Sequence, residues 1–459
     1  MVSVHERFAP FASRMRAEGL PDAVVRTFEH YYTQLVGGST GLIPEREIRP
    51  VASLPDAEAL GPEDEAAGRE ALGRAVILKL NGGLGTSMGL DRAKSLLTVK
   101  DGLSFLDVVA HQARHQKIPL VLMNSFATHD DSLAVLANYP DLESEIPLAF
   151  VQHKVPKVVQ SDLSPVDWPK DPQLEWCPPG HGNLYTAVVT SGMLGTLLEA
   201  GYEYAFVSNV DNLGAVMDPA ILGYFVRHRL PFLMEVADRT AADKKGGHLA
   251  EREDGQLILR ESAQCPPEER KMFQDVQRHR YFNTNNLWLD LRALAAVMKA
   301  NGNVLTLPMI RNAKKVDPRD STSTPVYQLE TAMGAAIEMF EGAAAIRVPR
   351  LRFAPVKTTE DLLRVRSDRY TLAEDYRIVP RHKRTGQPIV IQLDRSHYGR
   401  IDDLDARFPH GAPSLIDCQR LEIQGDVRFG QDVTIRGEVR LVQEGGEPMR
   451  IADGADLSG

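Results

Sequence analysis

Apolar positions along the chain follow two periods. Short runs rich in Val, Ile, Leu and Phe at 75–80, 118–123, 147–152, 204–209 and 231–236 have the length and composition of strands buried on both faces. Between and after them, apolar residues recur every three to four positions near 104–116, 184–200, 219–229 and 328–341, which predicts helices. This alternation predicts an α/β core, a doubly wound mixed sheet with most strands parallel. Ahead of it, Phe8, Phe11, Met15, Val24, Val25, Phe28 and Tyr32 keep helical spacing within 2–36 and predict a helical cap. The acidic stretch 55–68, rich in Pro, Gly and Ala, reads as a connector. The expected division is therefore a helical segment and linker over 1–74, the α/β core over 75–380, and a linker with a separate tail domain over 381–459.

The tail carries a third period. Leu421, Val427, Val433 and Val439 recur every six residues, as do Ile423, Phe429, Ile435 and Leu441, with Gly425, Gly430 and Gly437 between them. Two inward rows at this spacing predict a small parallel β-helix, while an antiparallel meander with even turns would show the same period. The tail holds no catalytic group. Packing, or self-association through an open end, is its expected work.

Composition narrows the classes. With 459 residues, 43% hydrophobic and 25% charged, the chain has an ordinary globular make-up and length for a large core plus a further domain. A net charge of −9 argues against a nucleic-acid-coating surface, so any phosphate binding must be local. Cys177, Cys265 and Cys418 are far apart and odd in number, which supports neither a disulfide framework nor a cysteine zinc site. No apolar segment approaches the ~20 residues that span a bilayer, and no leader is evident at the start of the chain. A cytoplasmic protein without membrane or nucleic-acid partners is expected.

The densest chemistry lies at AVILKLNGGLGTSMGLDRAKS (75–95), where a buried-type strand breaks into Gly82, Gly83, Gly85 and Gly89 and then presents Lys94. Glycines let backbone N–H groups approach a polyphosphate, and Lys94 adds a full charge; a purely structural turn is the alternative. A Walker P-loop would need glycine where Met88 and Ala93 stand. A dinucleotide fingerprint would need a carboxylate after the next strand, which instead ends in Asn124 and Ser125. Four further segments stand out. EYAFVSNVDNLGAVMD (203–218) ends an apolar strand in Asn209, Asp211 and Asn212, where a carboxylate could hold a nucleotide's Mg²⁺ or an Asx residue could cap a turn. In CPPGHGNLY (177–185), Gly180 and Gly182 flank His181; in YFNTNNLW (281–288), three asparagines crowd one strand and suit either sugar hydroxyls or turn backbone. In RFAPVKTTEDLL (352–363), Lys357 precedes a Thr-led helix start and is either functional or a solvated charge.

Together with VLMNSF (121–126), KGG (245–247) and QLETAMGAAI (328–337), these segments closely resemble the eukaryotic-type UTP:glucose-1-phosphate uridylyltransferase family over nearly all of 75–442. The resemblance implies a Rossmann-like, glycosyltransferase-A-like core and a C-terminal β-helix. It also implies that UTP and a sugar 1-phosphate are the substrates and Mg²⁺ the cofactor; a homo-oligomer through the C-terminal domain is one of the two uses the tail's own pattern leaves open. Leu80, Asn81, Gly82, Gly83, Gln152, Gly180, His181 and Gly182 would bind the nucleotide, with Gln152 reading uracil. Asn209, Gly247, Glu261, Phe282, Asn283 and Asn285 would line the sugar. Asp211 would hold the metal, and Lys94 and Lys357 would meet the phosphates from opposite sides as the catalytic pair. The loop reads GLDRAKS where the family commonly reads GCKGPKS, and Asn183 stands where aspartate is usual. LNGGLGTSMG favours the glucose branch over N-acetylhexosamine relatives. A nucleotide-sugar-dependent glycosyltransferase is the rival, because Asn209-Val-Asp211 resembles the metal motif of such enzymes.

Overall fold

The computed structural model describes residues 3–240, 243–381 and 389–459. Its centre is a ten-stranded mixed sheet. In chain order the strands are β1 (Arg49–Pro50), β2 (Ala75–Asn81), β3 (Leu120–Asn124), β4 (Ala149–Val151), β5 (Tyr204–Asn209), β6 (Phe232–Asp238), β7 (His248–Glu251), β8 (Leu257–Arg260), β9 (Tyr281–Asp290) and β10 (Ala344–Arg347). Strands β5, β2, β3 and β4 lie side by side and parallel, and so do β6 and β10. The long β9 runs antiparallel between β5 and β6 and joins the two groups.

Alternation explains why the central strands read as unbroken apolar runs. In β2, Ile77 faces one core with Phe105, Leu106 and Val109 of α4 (Phe105–Gln116) and with Ile221, Leu222 and Phe225 of α7 (Pro219–Arg227). Its neighbours Val76, Leu78 and Leu80 face a second core with α5 (Leu184–Thr190), α6 (Met193–Glu199) and α8 (Leu291–Ala300). Helices cover both faces, so both parities must be apolar. Ahead of the sheet, α1 (Val4–Ala17) and α2 (Asp22–Val36) form the expected helical cap. Phe8, Phe11, Phe28 and Tyr32 interlock there, the Phe11 and Tyr32 rings 4.8 Å apart, and rest on Val155, Cys177, Met309 and Leu329.

Three expectations need correction. The segment 55–68 is no bare connector, because α3 (Pro62–Ala71) starts in it, with Pro62 at the first helical position and Asp64 accepting from the N–H of Gly61 at 3.2 Å. Helix α3 crosses α7 so tightly that a Cβ on Gly223 would lie 1.7 Å from the Asp64 carbonyl oxygen. The helix expected over 184–200 is two helices, split at Gly192, whose φ of +81° no helix interior accommodates. The helix expected near 328–341 is a strand, Pro325–Thr331, antiparallel to Met309–Lys315, followed by a 3₁₀ stretch, Met333–Glu338. Leu329 there is buried under the N-terminal helices, so tertiary packing overrode the helical spacing.

The tail strands β11 (Val390–Leu393), β12 (Cys418–Gln424), β14 (Thr434–Val442) and β16 (Asp456–Ser458) pair in parallel in that order. A second small parallel sheet joins β13 (Val427–Phe429) to β15 (Met449–Ile451). The antiparallel alternative is thereby excluded among the described residues. Leu421, Val427, Val433 and Ile435 are fully buried and continue the core that contains α4.

Candidate functional site

The parallel register fixes where the loops leave the sheet. Leu80 pairs with Asn209 on one side and Met123 on the other, and Asn124 pairs with Val151. The glycine loop, Gln152 and the turn carrying Asp211 therefore emerge from the same edge. A Cβ on Gly82 would lie 2.6 Å from Gln152 Nε2, so glycine at 82 leaves room for that amide. Gln152 itself is held by its N–H donating to the Asn124 carbonyl at 2.7 Å. Leu80 and Asn81 close β2 with buried side chains, and Asn81 Nδ2 donates to Asn124 Oδ1 and Ser132 Oγ while its Oδ1 has no hydrogen-bond partner among the described residues. The loop turns through left-handed Gly85 and Gly89 and closes where the Lys94 N–H donates to the Gly83 carbonyl at 3.0 Å. Lys94 Nζ then donates to Asp211 Oδ2 at 2.5 Å.

The Lys357 segment docks on the same turn. The Val356 N–H points at the Asp211 carbonyl at 3.4 Å, and Asn212 pairs with Pro355. The buried Asn212 side chain donates to the Arg352 carbonyl and accepts from the Ala354 N–H at 2.9 Å. Lys357 follows immediately and is exposed, its amine without a hydrogen bond among the described residues. Thr358 caps α9 (Thr359–Arg366), as the Thr-led start predicted. Beneath lies Glu235, fully buried, whose carboxylate accepts from Arg352 Nε and Nη2 (2.8 and 2.6 Å), Asn286 Nδ2 (2.9 Å) and Trp288 Nε1 (3.0 Å). A carboxylate so fully paired anchors the 352–357 segment to β6 and β9.

Five of the six residues expected around the sugar, Gly247, Glu261, Phe282, Asn283 and Asn285, gather at the start of β7, the end of β8 and along β9. Glu235 pairs with Asn286 but Val236 with Asn283, so Thr284 and Asn285 bulge out and Asn285 takes φ +59°. Asn283 and Asn285 bond to each other, N–H and amide, at 2.9 Å. The asparagine cluster thus shapes a bulge in what the sequence showed as a plain strand. Phe282 packs edge-on against Phe353 at 4.8 Å. The Glu261 carboxylate lies 2.7 Å from where a Gly247 Cβ would be. Burial raises the Glu261 carboxyl above the ordinary range, while the positive charge of Lys357 opposes the rise. Asn209, at the end of β5, is half-buried and accepts through its carbonyl from the Asn212 N–H.

His181 lies between these groups. Its Nδ1 accepts from the Met333 N–H at 2.9 Å, which leaves the proton of the neutral ring on Nε2 as a donor. Burial, aided by the Lys357 charge, lowers its pKa to about 4. Gly180 and Gly182 press against Thr331, a Gly182 Cβ falling 2.3 Å from Thr331 Oγ1. Asn183 Oδ1 accepts from the His153 N–H at 2.8 Å, so this amide braces the residue next to Gln152.

Burial holds His153, His181, His248 and His279 all below the ordinary imidazole pKa. Their folded-state pKa values lie below the unfolded value, so between the two the unfolded chain binds more protons and stability is lost as pH falls. For His181 the window runs from 6.5 down to about 4 and amounts to about 1 kcal/mol by pH 5.5. Urea denaturation between pH 7.5 and 5.5 is expected to show this decline; stability unchanged over that range would contradict neutral burial.

Sequence reasoning passed over Lys79, Glu235 and Arg352, and it marked Asn212 and Asn286 without the anchoring contacts they make. The signal for two of them was present: Lys79 in AVILKLN and Glu235 in FLMEVAD are charges inside buried strands, which must be paired. Among the described residues, no three His, Cys, Asp or Glu side chains converge as a metal cage. Asp211 beside the glycine loop fits a Mg²⁺ held by one carboxylate together with substrate phosphates and water.

The family described as UTP–glucose-1-phosphate uridylyltransferase matches this chain over residues 25–436. The UTP–glucose-1-phosphate uridylyltransferase of Hordeum vulgare is 41% identical over 412 residues, 88% of this chain and 84% of that protein. A UDP-glucose pyrophosphorylase variant from Leishmania major, solved in complex with UDP-glucose, superposes with a TM-score of 0.92 at 43% identity, covering 100% of this chain and 99% of that one. A UDP-glucose phosphorylase from Trypanosoma brucei gives 0.91 at 45% identity, covering 98% of each chain.

Proposed function

The chain belongs to the UTP–glucose-1-phosphate uridylyltransferase family, and we propose the way its residues serve that reaction. The enzyme joins UTP and glucose 1-phosphate into UDP-glucose and pyrophosphate. A phosphate oxygen of the sugar 1-phosphate attacks the α-phosphorus of UTP in line, and the bond from that phosphorus to the bridging oxygen of pyrophosphate breaks. Both reactants are anions, so positioning and neutralisation of charge dominate over acid–base chemistry.

The observation that carries this reading is the Lys94–Asp211 pair at the strand ends, with the Lys357 segment bonded to the same turn. In this structure the ammonium and the carboxylate neutralise each other. A triphosphate entering over Gly82 and Gly83 would draw Lys94 to its oxygens and free Asp211 to hold Mg²⁺. When bound, that ion supplies positive charge against the triphosphate. Gln152 reads the uracil edge beside Gly82, His181 donates from Nε2 toward the phosphates, and Lys357 approaches from the side opposite Lys94. Asn209, Gly247, Glu261, Phe282, Asn283 and Asn285 surround the glucose, where carboxylate and amide groups suit hydroxyls.

The same reading treats the core as glycosyltransferase-A-like and doubly wound, and the parallel tail sheets as turns of a β-helix through which copies associate. It sets the enzyme in the cytoplasm. No helix among the described residues is long and apolar enough to cross a membrane.

A pyrophosphate-release panel of UTP, dTTP, ATP and GTP against glucose, galactose, N-acetylglucosamine and xylose 1-phosphates, with Mg²⁺, tests the function. UTP with glucose 1-phosphate is expected to give the highest kcat/KM. Release of nucleoside diphosphate without pyrophosphate would favour a glycosyltransferase instead.

A further inference from the structure

Lys79 is the third-last residue of β2, buried at 1% exposure, with the parity of Ala75 and Ile77. Its Nζ donates to Ser208 Oγ at 2.7 Å and to the Ala215 carbonyl at 2.8 Å. Those acceptors flank the turn 209–214: Ser208 is in β5 just before it, and Ala215 is just after it. Asp211 and Asn212, the residues that meet Lys94 and the Lys357 segment, lie between.

Stability alone does not account for a lysine here. An ammonium taken out of water is costly, and exchanging buried charge for an apolar side chain of similar volume is often neutral or stabilising. Burial and the charge of Arg352 lower its pKa to about 7, while Glu235 and Asp211 oppose that fall. What the two bonds do is join both ends of one turn to the strand that leads into the glycine loop. β2 carries Lys79 three residues before Gly82, so a single side chain ties the turn bearing Asp211 to the root of the loop bearing Lys94.

We propose that Lys79 is a positioning residue for uridylyl transfer: bonded to Ser208 and Ala215, it holds the 209–214 turn so that Asp211 stays in register with the glycine loop. The proposal rests on the role given to Asp211 above. Lys79 touches no substrate and acts only through that turn.

The test is a double-mutant cycle in the full-length chain, using Lys79→Met, Asp211→Asn and the double variant, with kcat and both KM values from pyrophosphate release and Tm from thermal melts. Lys79→Met is expected to lower kcat at least 10-fold, to leave both KM values within threefold, and to leave Tm level or raised. In the Asp211→Asn background the same change is expected to cost less than threefold, because groups acting as a unit are not additive. A Lys79→Met enzyme with kcat within threefold of the parent, or losses that multiply in the double variant, would overturn the proposal. If Lys79→Met does not fold, Ser208→Ala enters the same cycle, with a smaller kcat loss of at least threefold expected in the parent and none in the Asp211→Asn background. An Asp211→Asn enzyme with unchanged kcat would instead overturn the role of Asp211, and Lys79's with it.

Discussion

Lys94→Ala is expected to lower kcat by about 10² or more, measured as pyrophosphate release at saturating substrates. The reason lies in what the ammonium does at each stage. In this structure it neutralises Asp211 at 2.5 Å, and both side chains are mostly shielded from solvent. Alanine removes a cation aimed at the phosphates and leaves a carboxylate facing the incoming triphosphate. A unit charge pair at ~4 Å and an effective dielectric of ~20 is worth roughly 4 kcal/mol, so even a fraction of it realised in the transition state gives the stated loss. Part of the defect is repulsion from the unpaired Asp211. A tenfold or smaller loss would remove Lys94 from the catalytic machinery.

Lys357→Ala is expected to cost a similar factor in kcat, about 10², though through a different local balance. Lys357 has no carboxylate bonded to its amine among the described residues, and its charge already acts on His181 and Glu261. Removing it deletes a cation without exposing an unpaired anion. The field on His181 and Glu261 also relaxes, so both pKa values are expected to rise. NMR titration of the His181 ring in the variant would show its pKa moving up from about 4. Unchanged kcat together with an unmoved His181 titration would return Lys357 to the surface charge that its exposure alone suggests.

The parts of this molecule that local pattern controls were legible in the chain. Parallel strands buried on both faces announce themselves as apolar runs, and β2, β5 and β6 lie close to where the runs predicted. The glycine loop was legible because its positive-φ turns at Gly85 and Gly89 need glycine. What failed was decided by partners distant in sequence. Leu329 became a strand residue because the N-terminal helices bury it, and the FNTNNLW strand bulges where the adjacent Glu235 and Val236 of β6 pair with Asn286 and Asn283, three residues apart on it. The Lys94–Asp211 bond joins residues 117 positions apart, and the Arg352–Glu235 pair joins residues 117 apart as well. No period in the sequence records such a meeting. The charges at Lys79 and Glu235 inside apolar strands were its one local trace.

The most direct measurement is a crystal structure of this chain with UTP and Mg²⁺ bound. The account predicts that Lys94 has left Asp211 for the triphosphate oxygens, with Lys357 on the other side of the same phosphates and Asp211 turned to the metal. A triphosphate bound elsewhere, with the Lys94–Asp211 pair intact and Lys357 in solvent, would contradict it.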